Sequence, residues 1–373
     1  MFLKIKSKNN FPYLNFIFIF ENMNSLNTII GIFLHSAGGI SASTCYLPFQ
    51  KVNKWSWNSY WLIQAIFAWL VFPLVIGYLT VPNLWKVFIE SPSSVMLNAF
   101  LLGAVYGFGG MAFGFAIKHI GFSLTYTISI GLSAVLGTIV PLIIHGTLIK
   151  QFSKPGSMIV LAGMLCSLLG VFLCGLAGRK KEKDLKASNQ LNANGFNLRK
   201  GLALAIFAGV FSAIFGVSLE LGAPVAEIAD KYGAGHFEGN ANLFLSTSGT
   251  FATNFIWFVV LGFRKNTIKE VVAVKSLGYK TWGLNTFLSI LTGGLWYLQF
   301  FFYGLGHVRM GNFKFASWAI HMAMLIFFSY LVGVLMKEWK NVSKQTYIVL
   351  ITGLIVLVCS FVIITYGSTL GSH

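Results

Sequence analysis

Acidic side chains are scarce in this sequence: there are 10 Asp and Glu among 373 residues, and charged residues of all kinds make up only 10%. Soluble domains carry about 25% charged residues, so there is too little charge here to coat a surface facing water. Cysteine is scarce too. Cys45, Cys166, Cys174 and Cys359 are the full set, all inside apolar runs and without metal-ligand spacing. That excludes a disulfide scaffold and leaves small packing residues as their reading. No phosphate loop, paired-cysteine motif or His-Glu-x-x-His stretch occurs, and no nucleophile stands at a useful spacing from a base. The sequence therefore offers no catalytic set, no cofactor motif and no metal site.

What is abundant is apolar. Hydrophobic residues make up 56% and aromatics 16%, in runs long enough to cross a bilayer, which takes roughly 20 residues each. The fold class expected is all-α, a polytopic membrane protein of about ten transmembrane helices, with the lipid bilayer as its solvent. The spans fall near 26–47, 60–81, 95–117, 121–145, 156–177, 201–220, 241–262, 282–306, 315–336 and 345–367. Only Lys118 and His119 separate the third from the fourth, so a tight re-entry is required there. Residues 1–25 form an N-terminal tail, of which the first 22 resemble an upstream extension; Pro12 and Asn15 interrupt its apolar run, and no cleavage site follows.

The net charge of +17 does not indicate a nucleic-acid partner, because the cations sit in the short segments between apolar runs. Loops after the odd spans hold 18 of the 27 Lys and Arg, loops after the even spans hold 6, and the tail holds 3. By the positive-inside bias the odd loops are cytoplasmic and both termini periplasmic. The one long hydrophilic stretch, 178–200, divides the spans into halves 26–177 and 201–367, leaving a short tail at 368–373. Leu101 to Tyr106 resembles Leu291 to Trp296, with Gly121 and Gly311 at the same offset. With five spans per half the copies face opposite ways, a 5+5 inverted repeat that places a substrate site between them.

Polar groups inside lipid are costly and mark function or pairing. No acidic residue falls at the middle of a span; Glu220, at the outer end of the sixth, comes nearest. Histidine is the better proton-binding candidate, with an unperturbed pKa of about 6.5. His35 and His321 are the deepest, and the alternative for each is pairing with a neighbouring helix. In the eighth span Trp296, Gln299, Tyr303 and His307 fall on one helical stripe. Such a mixture suits a monosaccharide, whose C–H face stacks on aromatics and whose hydroxyls need fixed partners; an interfacial aromatic belt is the alternative. Gln299 argues against a belt, because a mid-span amide is unfavourable unless paired. Gln64 and Asn254 are similar intramembrane groups and join the candidate set.

These residues also carry a family resemblance. Gly31 to His35, followed by Pro48 to Trp57 (PFQKVNKWSW), resembles the opening of the L-rhamnose–proton symporter family. Gly294 to His307 (GLWYLQFFFYGLGH), Ser317 to Met322 (SWAIHM) and Lys337-Glu338-Trp339 resemble its C-terminal half. The resemblance runs from about 29 to 366 and implies a member of the drug/metabolite transporter superfamily, with proton-coupled uptake of a 6-deoxyhexose through the bacterial inner membrane. Leu34 stands where the family pattern has tryptophan, and Glu220 where an uncharged polar residue is expected. The function expected is therefore secondary active transport, with sugar and proton as partners and L-rhamnose as the foremost substrate. A carrier of another sugar or small metabolite shares this pattern, and a membrane-bound sugar sensor would use the basic 263–280 loop.

Overall fold

A computed structural model describes residues 23–187, 197–337 and 339–370. The N-terminal tail before Met23 and the centre of the hydrophilic stretch lie outside the described residues. Within them every long element is helical. Candidate spans run Leu26–Lys51, Trp57–Thr80, Ser93–Ile117, Thr125–Ile144, Ser157–Ala187, Arg199–Lys231, Gly235–Arg264, Tyr279–Leu335 and Lys344–Ser368. The stretch Tyr279–Leu335 has 57 residues, far more than one crossing needs. It holds two helices, Tyr279–His307 and Ser317–Leu335, joined by a 3-10 segment in which Gly311 takes a positive φ of 51°. The chain reverses there. A Cβ at Gly31 would meet Gly306, one at Gly38 would meet both Gln299 and His321, and one at Gly39 would meet Met324. Along the first span the eighth therefore runs antiparallel and the ninth parallel. These two are separate crossings, which makes ten among the described residues.

The tight re-entry after the third span is also present. Helical backbone continues through Ser93–Ile144, yet both of its arms lie along the sixth span. Ser218 Oγ donates to Ala99 O at 2.9 Å and Asn197 N to His119 O at 3.1 Å, so the first arm is antiparallel to the sixth span. Ser129 Oγ donates to Ala205 O at 2.8 Å and Ser133 Oγ to Ser212 Oγ at 3.0 Å, so the second arm is parallel to it. The boundaries expected from sequence shift in two places. The fifth span stays helical to Ala187, ten residues into the hydrophilic stretch 178–200, because its Lys and Glu are good helix formers. Leu84–Glu90 and Ala223–Lys231 are short helices between spans.

With nearly every face apolar, small residues decide which helices touch. The third and seventh spans approach backbone to backbone: a Cβ at Gly103 would lie 1.9 Å from Ser246 O, and one at Gly249 1.9 Å from Phe100 O. Thr250 and Thr253 donate across this seam to Gly103 O and Ala104 O, at 3.0 and 2.7 Å. The second span carries a π-turn at Phe67–Val71, closed by Phe72 N–H to Phe67 O. Pro73 explains it, since proline has no N–H for the carbonyl four residues back and its ring crowds that turn.

Loop contacts sort into two sides. Glu270, after the seventh span, accepts from Ser56 N and Ser59 Oγ, both at 2.7 Å, next to the loop after the first. Asp184, after the fifth, accepts from Ser343 N after the ninth at 2.8 Å. On the other face Gln151 donates to Asn312 O at 2.8 Å. Odd loops gather on one side of the molecule and even loops on the other, as ten crossings require.

Candidate functional site

Inward orientation of the eighth span builds the site. Trp296, Gln299 and Tyr303 are 4%, 5% and 7% exposed, so the polar-aromatic stripe faces the bundle and not the acyl chains. Trp296 lies eleven residues before the end of its helix at His307, about 16 Å along the axis and close to the middle of a hydrocarbon core roughly 30 Å thick. Tyr303 and His307 lie about two and three turns nearer the even-loop side.

Around Tyr303 the chain assembles three imidazoles from three spans. Tyr303 has ring centroids 5.6 Å from His35 on the first span, 5.3 Å from His321 on the ninth and 5.6 Å from His307. His35 and His321 are 5.8 Å apart. Both are fully buried, and neither has a hydrogen-bond partner on either ring nitrogen. The alternative of pairing with neighbouring helices is therefore not what the structure contains. Glycine makes the convergence possible: a Cβ at Gly38 would lie 2.8 Å from both Gln299 O and His321 Cε1, and one at Gly306 3.0 Å from His35 Nε2. Unpaired buried polar nitrogens carry a desolvation penalty of about 1–3 kcal/mol each, so four of them in one cluster cost stability.

Toward the even-loop side this cluster meets a vestibule of about 670 Å³, whose wall includes Tyr303, Trp318, Glu220 and His145. Trp318 was not among the residues singled out as site candidates. Its Nε1 donates to Ser133 O at 3.0 Å, and its ring is clasped between Gly137 and Gly216, where added Cβ atoms would lie 2.3 and 2.8 Å away. Toward the midplane lies a smaller cavity of about 80 Å³, walled by Trp296, Gln299, Phe300 and the phenols Tyr46, Tyr106 and Tyr126. Tyr46, Gly110 and Phe113 also line a third, largely apolar space of about 410 Å³ that extends to Lys265 and Thr267 on the odd-loop side. Cavities thus follow one another across the whole bundle. Phe300, Tyr303 and Trp318 close the outer junction, and Tyr46 and Phe113 the inner one.

Other candidates fall elsewhere. Asn254 is fully buried and spends its amide on structure: Oδ1 accepts from Trp61 Nε1 at 3.2 Å, while Nδ2 donates to Thr250 O at 3.0 Å and Gly107 O at 3.3 Å. Gln64 is fully buried with both amide atoms unpaired, and like His35 and His321 it lines none of these cavities; unlike them it is not in ring contact with Tyr303. Trp69, in the π-turn, stands edge-on to Trp296 at 5.3 Å with its Nε1 unpaired. The sequence signal for Trp69 was Pro73, four residues on. The three phenols gave no signal, because tyrosine in a span also reads as an interfacial anchor. Among the described residues no group of three or more His, Cys, Asp or Glu is arranged to hold a metal.

Comparison with known proteins adds an independent line. A family model described as L-rhamnose-proton symport protein matches residues 23–370. The chain is 33% identical over 339 residues to the L-rhamnose-proton symporter of Escherichia coli O1:K1 / APEC, covering 91% of this chain and 97% of that one. The same identity and coverage hold for the L-rhamnose-proton symporter of Escherichia coli strain K12 / DH10B.

Proposed function

The chain belongs to the L-rhamnose–proton symport protein family, and on that premise we infer that it carries L-rhamnose inward across the bacterial inner membrane together with a proton. It is a carrier and not an enzyme. The observation that supports this reading best is the file of cavities, interrupted at two aromatic junctions, with the Gln299 amide in the middle cavity and two unpaired imidazoles packed against the rings of the outer junction. A symporter needs such an arrangement: a polar midpoint that opens to one side at a time, and a proton-binding group in the same compartment.

Specific residues take specific roles in this proposal. Trp296 offers an aromatic face to the C–H surface of the sugar, and Gln299 supplies both a donor and an acceptor for its hydroxyls. Tyr303, shared between the imidazole cluster and the vestibule, senses both ligands. His35 and His321 bind and release the transported proton. Glu220, in the vestibule wall with Tyr303, passes protons toward them from the periplasmic side. Asn254 is left out because its bonds hold the second, third and seventh spans together. The odd loops face the cytoplasm and both termini the periplasm, following the distribution of Lys and Arg. The two five-span halves rock about the midplane site as an inverted pair.

Uptake of labelled L-rhamnose into right-side-out vesicles tests the reading. An inward pH gradient is expected to accelerate uptake several-fold, and unlabelled L-rhamnose to compete better than other hexoses. Uptake indifferent to the gradient would remove the proton, and a stronger competitor would replace the sugar.

A further inference from the structure

Against the vestibule, on the even-loop side, lies a further space of about 260 Å³ between the sixth, seventh and eighth spans, sharing Glu220, Glu227, Tyr303 and Lys314 with the vestibule wall. Glu227, Glu238 and Asn242 in its wall have no role in the transport reading above. Its wall carries Glu227 and Glu238 as well as Glu220, together with Asn242, His307 and Lys314, while Phe300 and Tyr303 form its aromatic side. Asn242 is only 3% exposed, and its amide is half used. Nδ2 donates to Leu219 O at 2.7 Å, whereas Oδ1 accepts nothing. His307 Nδ1, at the same wall, is also unpaired. Gly222 leaves room for this amide, since a Cβ there would lie 1.9 Å from Oδ1.

We propose that this space is a second, outer binding site for the sugar, occupied before the sugar passes Phe300 and Tyr303 into the deep cavity; the proposal rests on the transport reading above. Three features select a sugar. The wall is rich in acceptors, which hydroxyl groups satisfy by donating. Carboxylates accept from neighbouring hydroxyls as charge-assisted bonds, the stronger class. Aromatic faces lie opposite, where a pyranose presents its C–H surface. A metal ion fits less well: the described residues hold no cluster arranged for one, and Lys314 places a positive charge in the same wall. Size points the same way, since this space has about 260 Å³ against about 80 Å³ for the deep cavity. The molecule in this conformation has its larger sugar-compatible room outside the aromatic junction. Phe300 belongs to both walls, so a rotation of that ring would join them.

Equilibrium binding of tritiated L-rhamnose to the purified full-length protein, together with uptake kinetics, tests this. Two sugars per chain are expected for the unaltered protein, and one for Glu238→Gln or Glu227→Gln. In uptake each variant is expected to raise KM about tenfold while maximal velocity stays within about twofold, the loss corresponding to one charge-assisted hydrogen bond. Gln299→Ala, in the deep cavity, is expected to keep the outer sugar and lower the maximal velocity. One sugar per chain in a protein that transports L-rhamnose, or unchanged KM in both glutamate variants, overturns the outer site alone. A protein that neither binds nor transports L-rhamnose overturns the transport reading and the outer site together.

Discussion

At the scale of single residues, the contrast between His321 and Asn254 is the informative one. Both are fully buried polar side chains in lipid-spanning helices, and position in the sequence does not tell them apart. Asn254 has three hydrogen bonds and His321 has none. Asn254→Ala is therefore expected to destabilise the protein, by about 1–3 kcal/mol for the stranded Trp61 donor, and to leave KM for L-rhamnose unchanged. Thermal unfolding in detergent and uptake kinetics measure the two effects separately. His321→Ala and His35→Ala are expected to do the reverse. Neither removes a hydrogen bond, so stability is nearly kept, while the acceleration of uptake by an inward pH gradient is lost. A variant that still responds to the gradient would clear that imidazole of the coupling role. Gly38→Ala places a methyl 2.8 Å from His321 Cε1 and Gln299 O. Overpacking of about 1–3 kcal/mol is expected, read as a lower unfolding temperature with uptake reduced.

At the scale of elements, the second and eighth spans carry the argument. The eighth was legible as a stripe because Trp296, Gln299, Tyr303 and His307 recur at helical spacing, and one buried face follows from that spacing alone. The second was not legible in the same way. Its π-turn shifts the residues that follow, placing Trp69 edge-on to Trp296, and a simple 3.6-residue reading passes over such a shift. Pro73→Ala restores the missing N–H and permits a regular helix. It is expected to hold or raise the unfolding temperature while lowering uptake at least severalfold, because Trp69 then turns away from the site. Equal uptake by Pro73→Ala and the unaltered protein would show that the π-turn serves packing only.

At the scale of the whole molecule, the arrangement of loops converts a charge count into an orientation. The odd loops share one side through contacts such as Glu270 to Ser56, and they hold three times the Lys and Arg of the even loops. A cysteine at Lys150 is expected to react with a membrane-impermeant maleimide in intact cells, and a cysteine at Lys265 only after permeabilisation. The opposite pattern would invert the direction assigned to the vestibule.

Composition alone decided that this chain lives in lipid, since a sequence with so few charges has no means of coating itself for water. Helical periodicity and the short loops decided the number of crossings, and the motifs at both ends decided the family. Which polar groups are spent and which are kept free was settled only by the tertiary structure. Hydrogen-bond partners come from other spans, hundreds of residues away in the chain, and the close approaches at Gly38, Gly216 and Gly306 determine which spans arrive. The same physics hid the three phenols and the outer acceptor-rich space, neither of which shows a local pattern until five or six helices meet.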